Sequence, residues 1–473
     1  MTVPLGDRSG RERLPARVLL TLALLVGSSF VMVLNETTMT TALPVVVDDL
    51  GVAVTTAQWL SSGFLLTMAV VVPTTGYLLS RFPPRRIYLS AVGLFCVGTV
   101  LCALAPGFGL LLAGRVVQAS GSAIMVPLLM TSIMTLVPDG RRGRVMGTMA
   151  VVQAVAPATG PTIAGAVLAV LGWRWIFWIV LACAGLMLLA GVRWMHVEAT
   201  TSRARLDLLS VLLAAGAFSL LVYGLARFGE ASGEPGSGGV PAWVWIAAGA
   251  VLLAVFVRRQ LRLGRDDAAL LDLRPLAIRA YTLPLVLADA GYLALFSSVI
   301  LLPFYIQHVL GLSPLVAGLA VLPGGTVMGV LGPVVGQAYD RFGVRAMAVP
   351  ASVVVSASLW SFTALGATSP IWLVVTLHVL MSVGVAMSFT PLVTEALGVL
   401  PASLHAHGSA ILTSTQQVAG AAGAALFVTV MTLASGATGG VDATGVRSAF
   451  VVAAVIATGT VLGSLLLQRR SSR

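Results

Sequence analysis

Along most of the chain, apolar residues come in unbroken runs of about twenty, separated by short polar, basic or glycine-rich stretches. A hydrocarbon core of about 30 Å is crossed by roughly twenty apolar residues in a helix. Fourteen runs have that length: residues 17–44, 54–79, 87–106, 108–136, 145–171, 174–195, 206–228, 241–261, 280–309, 314–338, 346–366, 370–398, 410–434 and 447–467. Strands of a membrane barrel would alternate over about ten residues, and these runs do not alternate. The pattern predicts an all-α polytopic membrane protein with fourteen transmembrane helices.

The punctuation between the runs sets the expected topology. "RSGRERLPAR", "RFPPRR", "DGRRGR", "RAR", "RRQLRLGR" with Arg274 and Arg279, "DRFGVR" and the final "RRSSR" all fall on one side. The other side has only Arg174, Arg227 and Arg447 beside glycine-rich loops. By the positive-inside rule both termini are expected in the cytoplasm, as an even number of spans requires. The first run follows four arginines as a signal peptide would, but no small-residue cleavage site follows, so an uncleaved first span is expected.

The pattern also repeats. Gly76 opens "GYLLSRFPPRR" 59 residues after Arg17, and Gly336 opens "GQAYDRFGVR" 57 residues after Arg279. Two six-helix bundles separated by two additional helices are expected. The division is a tail 1–16, a first bundle 17–197, additional helices 198–263, a linker 264–279, a second bundle 280–467 and a tail 468–473. Two-bundle repeats of this kind build many secondary transporters, with substrate handled near the midplane between the bundles.

Composition agrees and excludes alternatives. Hydrophobic residues make up 58% of 473 and charged residues only 10%, against about a quarter charged in soluble proteins. The net charge of +11 comes entirely from arginine, with no lysine. The arginines sit between spans and form no basic domain, so no nucleic-acid partner is expected. Cys96, Cys102 and Cys183 are expected as buried thiols without disulfides. There is no G-x-x-x-x-G-K-[ST] phosphate loop, no nucleophile elbow and, at "HAHG" (residues 405–408), no H-E-x-x-H spacing. Neither an enzyme nor a cofactor is expected; energy, if used, is expected from an ion gradient.

Few ionisable residues lie well inside the runs: Glu36, Arg115, Asp289 and Glu395, with His378 as a group that can be neutral. A charge at the bilayer centre is unfavourable by about 2.5–3.5 kcal/mol on insertion scales. Such residues either pair, snorkel to an interface or line a pathway; for Glu395, near the end of its run, snorkelling is as good a reading as function. Glu36 stands in "LNETTMTTALP" with Asn35 and Thr40 beside it, and Arg115 heads a stripe with Gln118 and Ser122. If the first and fourth spans meet, Arg115 holds Glu36 ionised while desolvation pushes it neutral. An acid so opposed can exchange a proton for cargo. Trp59, Tyr292, Phe296 and Phe304 can stack on an aromatic or cationic ligand; ordinary packing is the alternative. Thr413, Gln416, Gln417 and Gly420 make one polar helical face, either cavity lining or glue between helices. Pro157, Gly160, Pro161 and Gly165 shape the fifth span for kinking and close approach.

Taken in order, these motifs resemble the major facilitator superfamily, in its fourteen-helix drug:proton antiporter branch and among lincomycin-resistance-type exporters. "LNETTMTTALP" is similar to the branch's first-span signature, "GYLLSRFPPRR" to its cytoplasmic loop motif, and "GRVVQASGSA" to its fourth-span motif. "APATGPTIAG" is similar to the antiporter motif of the fifth span, and "HGSAILTSTQQVAGAAGAALFVTVMT" to the thirteenth span of those exporters.

The resemblance implies alternating access and export coupled to inward proton movement. It implies a proton site at Glu36 or its neighbour, Arg115 as the fourth-span arginine, and Gly160 and Pro161 as the antiporter kink. A cytoplasmic gate would involve Gly76, Arg81, Gly336, Asp340 and Arg341. Two departures stand out: Asn35 occupies the position of the branch's first-span aspartate, and Ser80 occupies that of the first loop aspartate, which the second copy keeps as Asp340. The expected protein is a monomer in the plasma (inner) membrane that exports amphipathic small molecules, cationic ones included. The alternatives are export of one endogenous metabolite or lipid, or a non-transporting membrane receptor or intramembrane enzyme.

Overall fold

A computed structural model describes residues 15–195, 207–231, 240–266, 269–435 and 443–468. The two tails, with most of their arginines, lie almost wholly outside these residues. Among the described residues, fourteen helices are long and apolar enough to cross a membrane. They are α1 (Ala16–Leu50), α2 (Trp59–Arg81), α3 (Pro84–Ala103), α4 (Phe108–Leu136), α5 (Asp139–Val170), α6 (Arg174–Trp194) and α7 (Leu208–Ala231). The second series is α8 (Ala242–Leu263), α9 (Arg279–Val309), α10 (Pro314–Phe342), α11 (Val344–Phe362), α12 (Ile371–Gly398), α13 (Ala402–Ala434) and α14 (Ala443–Ser464).

Three boundaries differ from the apolar runs, each for a local reason. Helix α1 continues six residues beyond the run, through Pro44 to Gly51, whose left-handed φ of 61° ends it and whose N–H reaches the Val47 carbonyl. Helix α13 starts earlier than residue 410, because "HAHGSA" is buried by neighbouring helices and needs no apolar side chains of its own to remain helical. The expected start of the second span at residue 54 is a separate turn, Val54–Ala57, before α2 begins at Trp59.

Helices α1 to α6 pack mainly on one another, and α9 to α14 do the same. The two groups meet along two seams. At one, α5 lies against α10; at the other, α2 and α4 lie against α13. The additional pair α7 and α8 packs together, and α7 also lies against both α2 and α13, covering the second seam. Two helices carry a π-turn, Val151–Val155 in α5 just before Pro157 and Tyr305–Val309 in α9 just after Pro303. Proline removes a backbone donor, and the ladder relaxes into the wider turn beside it.

The cysteines are unpaired, but their burial is uneven. Cys102 is buried and Cys96 half-buried, while Cys183 is exposed on α6, contrary to the expectation of three buried thiols. The run containing Cys183 is apolar all round, so the sequence pattern does not distinguish its lipid-facing side from its packed side.

Candidate functional site

Three of the ionisable residues of the spans fall in two groups, Glu36 and Arg115 in the first bundle and Asp289 in the second. In the first, α1 and α4 are packed together, as the Glu36–Arg115 reading requires. Arg115 is only 1% exposed. Its Nη1 donates to Gln118 Oε1 at 2.8 Å, its Nε to the Leu60 carbonyl at 3.3 Å, and its guanidinium lies 4.1 Å from the centre of the Phe64 ring. Gln118 in turn donates to Thr99 Oγ1 at 2.8 Å. Arg115 and Glu36 act on each other electrostatically, but the direct hydrogen bonds of Arg115 go to α4 itself and to α2. The arginine is therefore a fixed buried charge, and Glu36 is the group left to respond.

Helical phase separates Asn35 from Glu36. Asn35 is 1% exposed, and both amide atoms are buried without a partner among the described residues. It stands in one stripe with Met32, Met39 and Ala42, all buried. Glu36, a rotation of about 100° away, is half-buried. The side chain of Thr40 lies outside the described residues. On its α5 side α1 is held tightly: a Cβ built on Gly160 would collide with Thr37 Oγ1 and sit 3.3 Å from the Leu34 carbonyl oxygen. Pro161 follows inside the same helix.

The second group lies on α9 and α13. Asp289 meets the Thr415 hydroxyl, while its Oδ1 is buried with no partner among the described residues. One turn on, the Tyr292 ring is 5.1 Å from that of Phe296 and 6.3 Å from that of Phe389. Tyr292 and Phe296 both approach Gly420 of α13. Gln416 is buried with Nε2 unpaired among the described residues, and Gln417 is half-buried. Trp59 lies elsewhere: 41% exposed, it stacks on Tyr223 of α7 at 6.3 Å, and Tyr223 meets Trp245 edge-on. His378 is buried against Gly324 and Ser382.

At the end of the protein that carries the arginine-rich loops, the two bundles touch along both seams. Asp340 of α10 crosses the seam and accepts the backbone N–H groups of Gly143 at 2.9 Å and Arg144 at 3.0 Å, at the start of α5. These donors have no partner within their own helix, and the helix N-terminus favours a negative charge. The approach needs glycine on both sides: a Cβ on Gly143 would lie 2.5 Å from the Gly336 carbonyl oxygen, and one on Gly336 would overlap the Gly143 carbonyl. Tyr339, next to Asp340, donates from Oη to Glu395 Oε2 of α12 at 2.7 Å. Arg341 lies over the Phe342 ring at 5.2 Å, and Arg81 is half-buried at the end of α2. At the other seam Gly76 faces His407 of α13, and Thr131 and Ser409 share a hydrogen bond of 2.8 Å. Sequence reasoning passed over Gly143, Tyr339, Thr415 and His407. The glycines of "GRRGRVMG" are a usable signal; "HAHG" in the sequence bears only on a metal motif, whose spacing it lacks.

A family model described as Major Facilitator Superfamily matches residues 25–424. The chain belongs to the major facilitator superfamily. It is similar to the lincomycin resistance protein LmrB of Listeria monocytogenes, with 34% identity over 85% of this chain and 84% of that one. It is also similar to LmrB of Bacillus subtilis (33%, covering 94% and 95%) and to the uncharacterized transporter YcnB of the same organism (33%, covering 97% of each). The solved structure of the human organic anion transporter MFSD10 has the same fold, with a TM-score of 0.66 and 17% identity over 96% of this chain and 100% of that one. As a superfamily member of this fourteen-helix plan, the protein is a secondary active transporter and not an enzyme.

Proposed function

We propose that the protein exports amphipathic small molecules, cationic ones included, in exchange for protons entering the cell. The observation that carries this reading is the pair of intramembrane carboxylates, Glu36 in the first bundle and Asp289 in the second, with the rings of Tyr292, Phe296 and Phe389 gathered one turn from Asp289. An ionised carboxylate enclosed away from water is strongly disfavoured. Closure over these groups therefore selects states in which they hold a proton or face a cation. That rule lets a loaded or protonated carrier cross between its two faces and hinders an empty, deprotonated one, which is the requirement for exchange. Arg115 fixes the field at Glu36, and the aromatic rings of Tyr292, Phe296 and Phe389 offer apolar and cation-accepting surface beside Asp289. The names of the LmrB relatives support a drug as cargo.

In this reading the arginine-rich end and both termini face the cytoplasm, the carrier works as a monomer in the plasma membrane, and the structure represents the state closed to the cytoplasm. Gly76, Gly143, Gly336 and Asp340 form the cytoplasmic gate, Arg81 and Arg341 flank it, and Gly160 with Pro161 shapes α5 for rocking. Glu395, bonded by Tyr339 beside Asp340, belongs to this gate as much as to the proton path. The test is transport in proteoliposomes with an imposed pH gradient, using lincomycin and a lipophilic cation as probes. Uptake that collapses with the gradient, and is lost in Glu36→Gln, supports the proposal; gradient-independent transport of either probe refutes the coupling. Saturable transport of one metabolite, with no competition from either probe, would favour a dedicated exporter instead.

A further inference from the structure

The two seams are related by the internal repeat, yet only one has its carboxylate. Gly76 of α2 corresponds to Gly336 of α10, and Ser80 to Asp340. Gly336 faces Gly143 across its seam, while Gly76 faces His407. Where Asp340 accepts two N–H groups from the opposite bundle, Ser80 donates to the Tyr77 carbonyl of its own helix at 2.9 Å. By the repeat, the α2–α13 seam lacks its clamp.

Something else occupies the place. Residues 269–274, expected as part of a cytoplasmic linker, are drawn into the protein: Leu270, Leu271 and Asp272 are buried. The Asp272 N–H donates to His407 Nδ1 at 3.2 Å, and the Leu271 N–H to Gln260 Oε1 of α8 at 3.1 Å. Leu271 and His407 both close on Gly76, where an added Cβ would lie 3.2 Å from Leu271 Cδ1 and 2.8 Å from His407 Nδ1. Arg274 fixes the turn by donating its N–H to Asp272 Oδ1 at 2.9 Å and its Nε to Oδ2 at 2.6 Å. Gln260 is held by donating to Ser210 Oγ at 2.6 Å. One short strap thus touches α2 of the first bundle, α13 of the second and α8 of the additional pair.

We propose that this strap, with His407 as its acceptor, does at the α2–α13 seam what Asp340 does at the α5–α10 seam: it holds the arginine-rich end closed. The additional helices then serve as the anchor of a gate. The inference rests on the alternating-access reading of the seams, but not on the identity of the cargo or on proton coupling. His407 and Asp272 are positioning residues that act on the gate without touching cargo.

Spin labels at Arg86 and Ser403, which flank this seam, report its opening by pulsed dipolar distance measurement in lipid nanodiscs without cargo or gradient. His407→Leu, which removes the acceptor while keeping bulk, is expected to raise the open-to-closed ratio about tenfold, the effect of one lost buried hydrogen bond. His407→Asn, whose amide oxygen can accept in place of Nδ1, is expected to stay closed. Adding Ser80→Asp to His407→Leu restores the carboxylate that the repeat lacks and is expected to return the ratio to the wild-type value. Gln260→Leu releases the strap at its other end and gives the same reading should His407→Leu fail to fold. An unchanged ratio in both single variants, opening in His407→Asn equal to that in His407→Leu, or no recovery with Ser80→Asp would each overturn the proposal. If distances shift as expected while the proteoliposomes transport neither probe, the export reading fails and the strap stands.

Discussion

Substituting Gly143 by alanine separates the closing of the gate from the stability of its helix. The new Cβ would stand 2.5 Å from the Gly336 carbonyl oxygen and 2.6 Å from Asp340 Oδ1, the oxygen that accepts the Gly143 N–H. Ordinary carbon–oxygen contact needs about 3.3 Å, so the facing backbone has to retreat by most of an ångström. No rotamer change relieves this, because the obstacle at Gly336 is main chain. Retreat breaks the two bonds to Asp340, and a bond to a charged acceptor contributes about 1.5–3 kcal/mol. Taking the low end, since Arg144 is solvent-exposed, the closed state loses about 3 kcal/mol, or roughly a hundredfold in the conformational ratio. Alanine also favours the helix over glycine by up to about 1 kcal/mol, but in both states alike. The expected variant is therefore no less stable to heat yet opens at its arginine-rich end. Spin labels at Gly140 and Phe342 would show the α5–α10 distance lengthening, with thermal unfolding measured alongside. An unchanged distance distribution in a folded variant would refute the assignment of this contact as the closing element.

Four further outcomes follow from the same contacts. Glu36→Gln should abolish gradient-driven transport while leaving cargo–cargo counterflow, measured in the same proteoliposomes; loss of counterflow as well would make Glu36 a cargo residue. Gly160→Ala overpacks the α1–α5 contact, by about 1–3 kcal/mol if the site resembles other filled interiors, and should slow transport; adding Thr37→Ala, which removes the colliding hydroxyl, should restore the rate, and failure to do so would move the effect elsewhere. Asp340→Ala should open the α5–α10 seam in the same spectroscopy without touching the midplane carboxylates; a closed seam would contradict the clamp. At the foot of α7, the Arg259 and Ser210 side chains hold the Asp207 carboxyl down to about 2. A depressed carboxyl contributes stability above its unfolded value of about 4 and loses it as the pH falls towards 2, so Asp207→Asn should lower Tm at pH 7 by an amount that shrinks below pH 4.

The helices were legible because a bilayer imposes one length and one polarity on every crossing segment. The repeat of "GYLLSRF" and "GQAYDRFGVR" was legible for a related reason, since loops in equivalent places keep equivalent turns and charges. Partners distant in sequence were not legible. Trp59 reads as a cavity aromatic in isolation and is taken up by Tyr223, some 160 residues away. The separation of Asn35 from Glu36 follows from helix phase, but which of them meets the bundle interior depends on how α1 is rotated against α4 and α5. The buried linker was hidden most deeply. "ALLDLR" looks like any short apolar stretch in a loop, and its burial depends on the acceptors Gln260 and His407 supplied by two other helices.

The additional pair also breaks the molecule's internal symmetry in a way that bears on its surroundings. Among the described residues, neither helix of the pair packs on both α5 and α10 as α7 does on α2 and α13. Lipid and membrane-dissolved compounds therefore meet two different flanks. A fourteen-helix carrier of this build is sided within the plane of the membrane as well as across it.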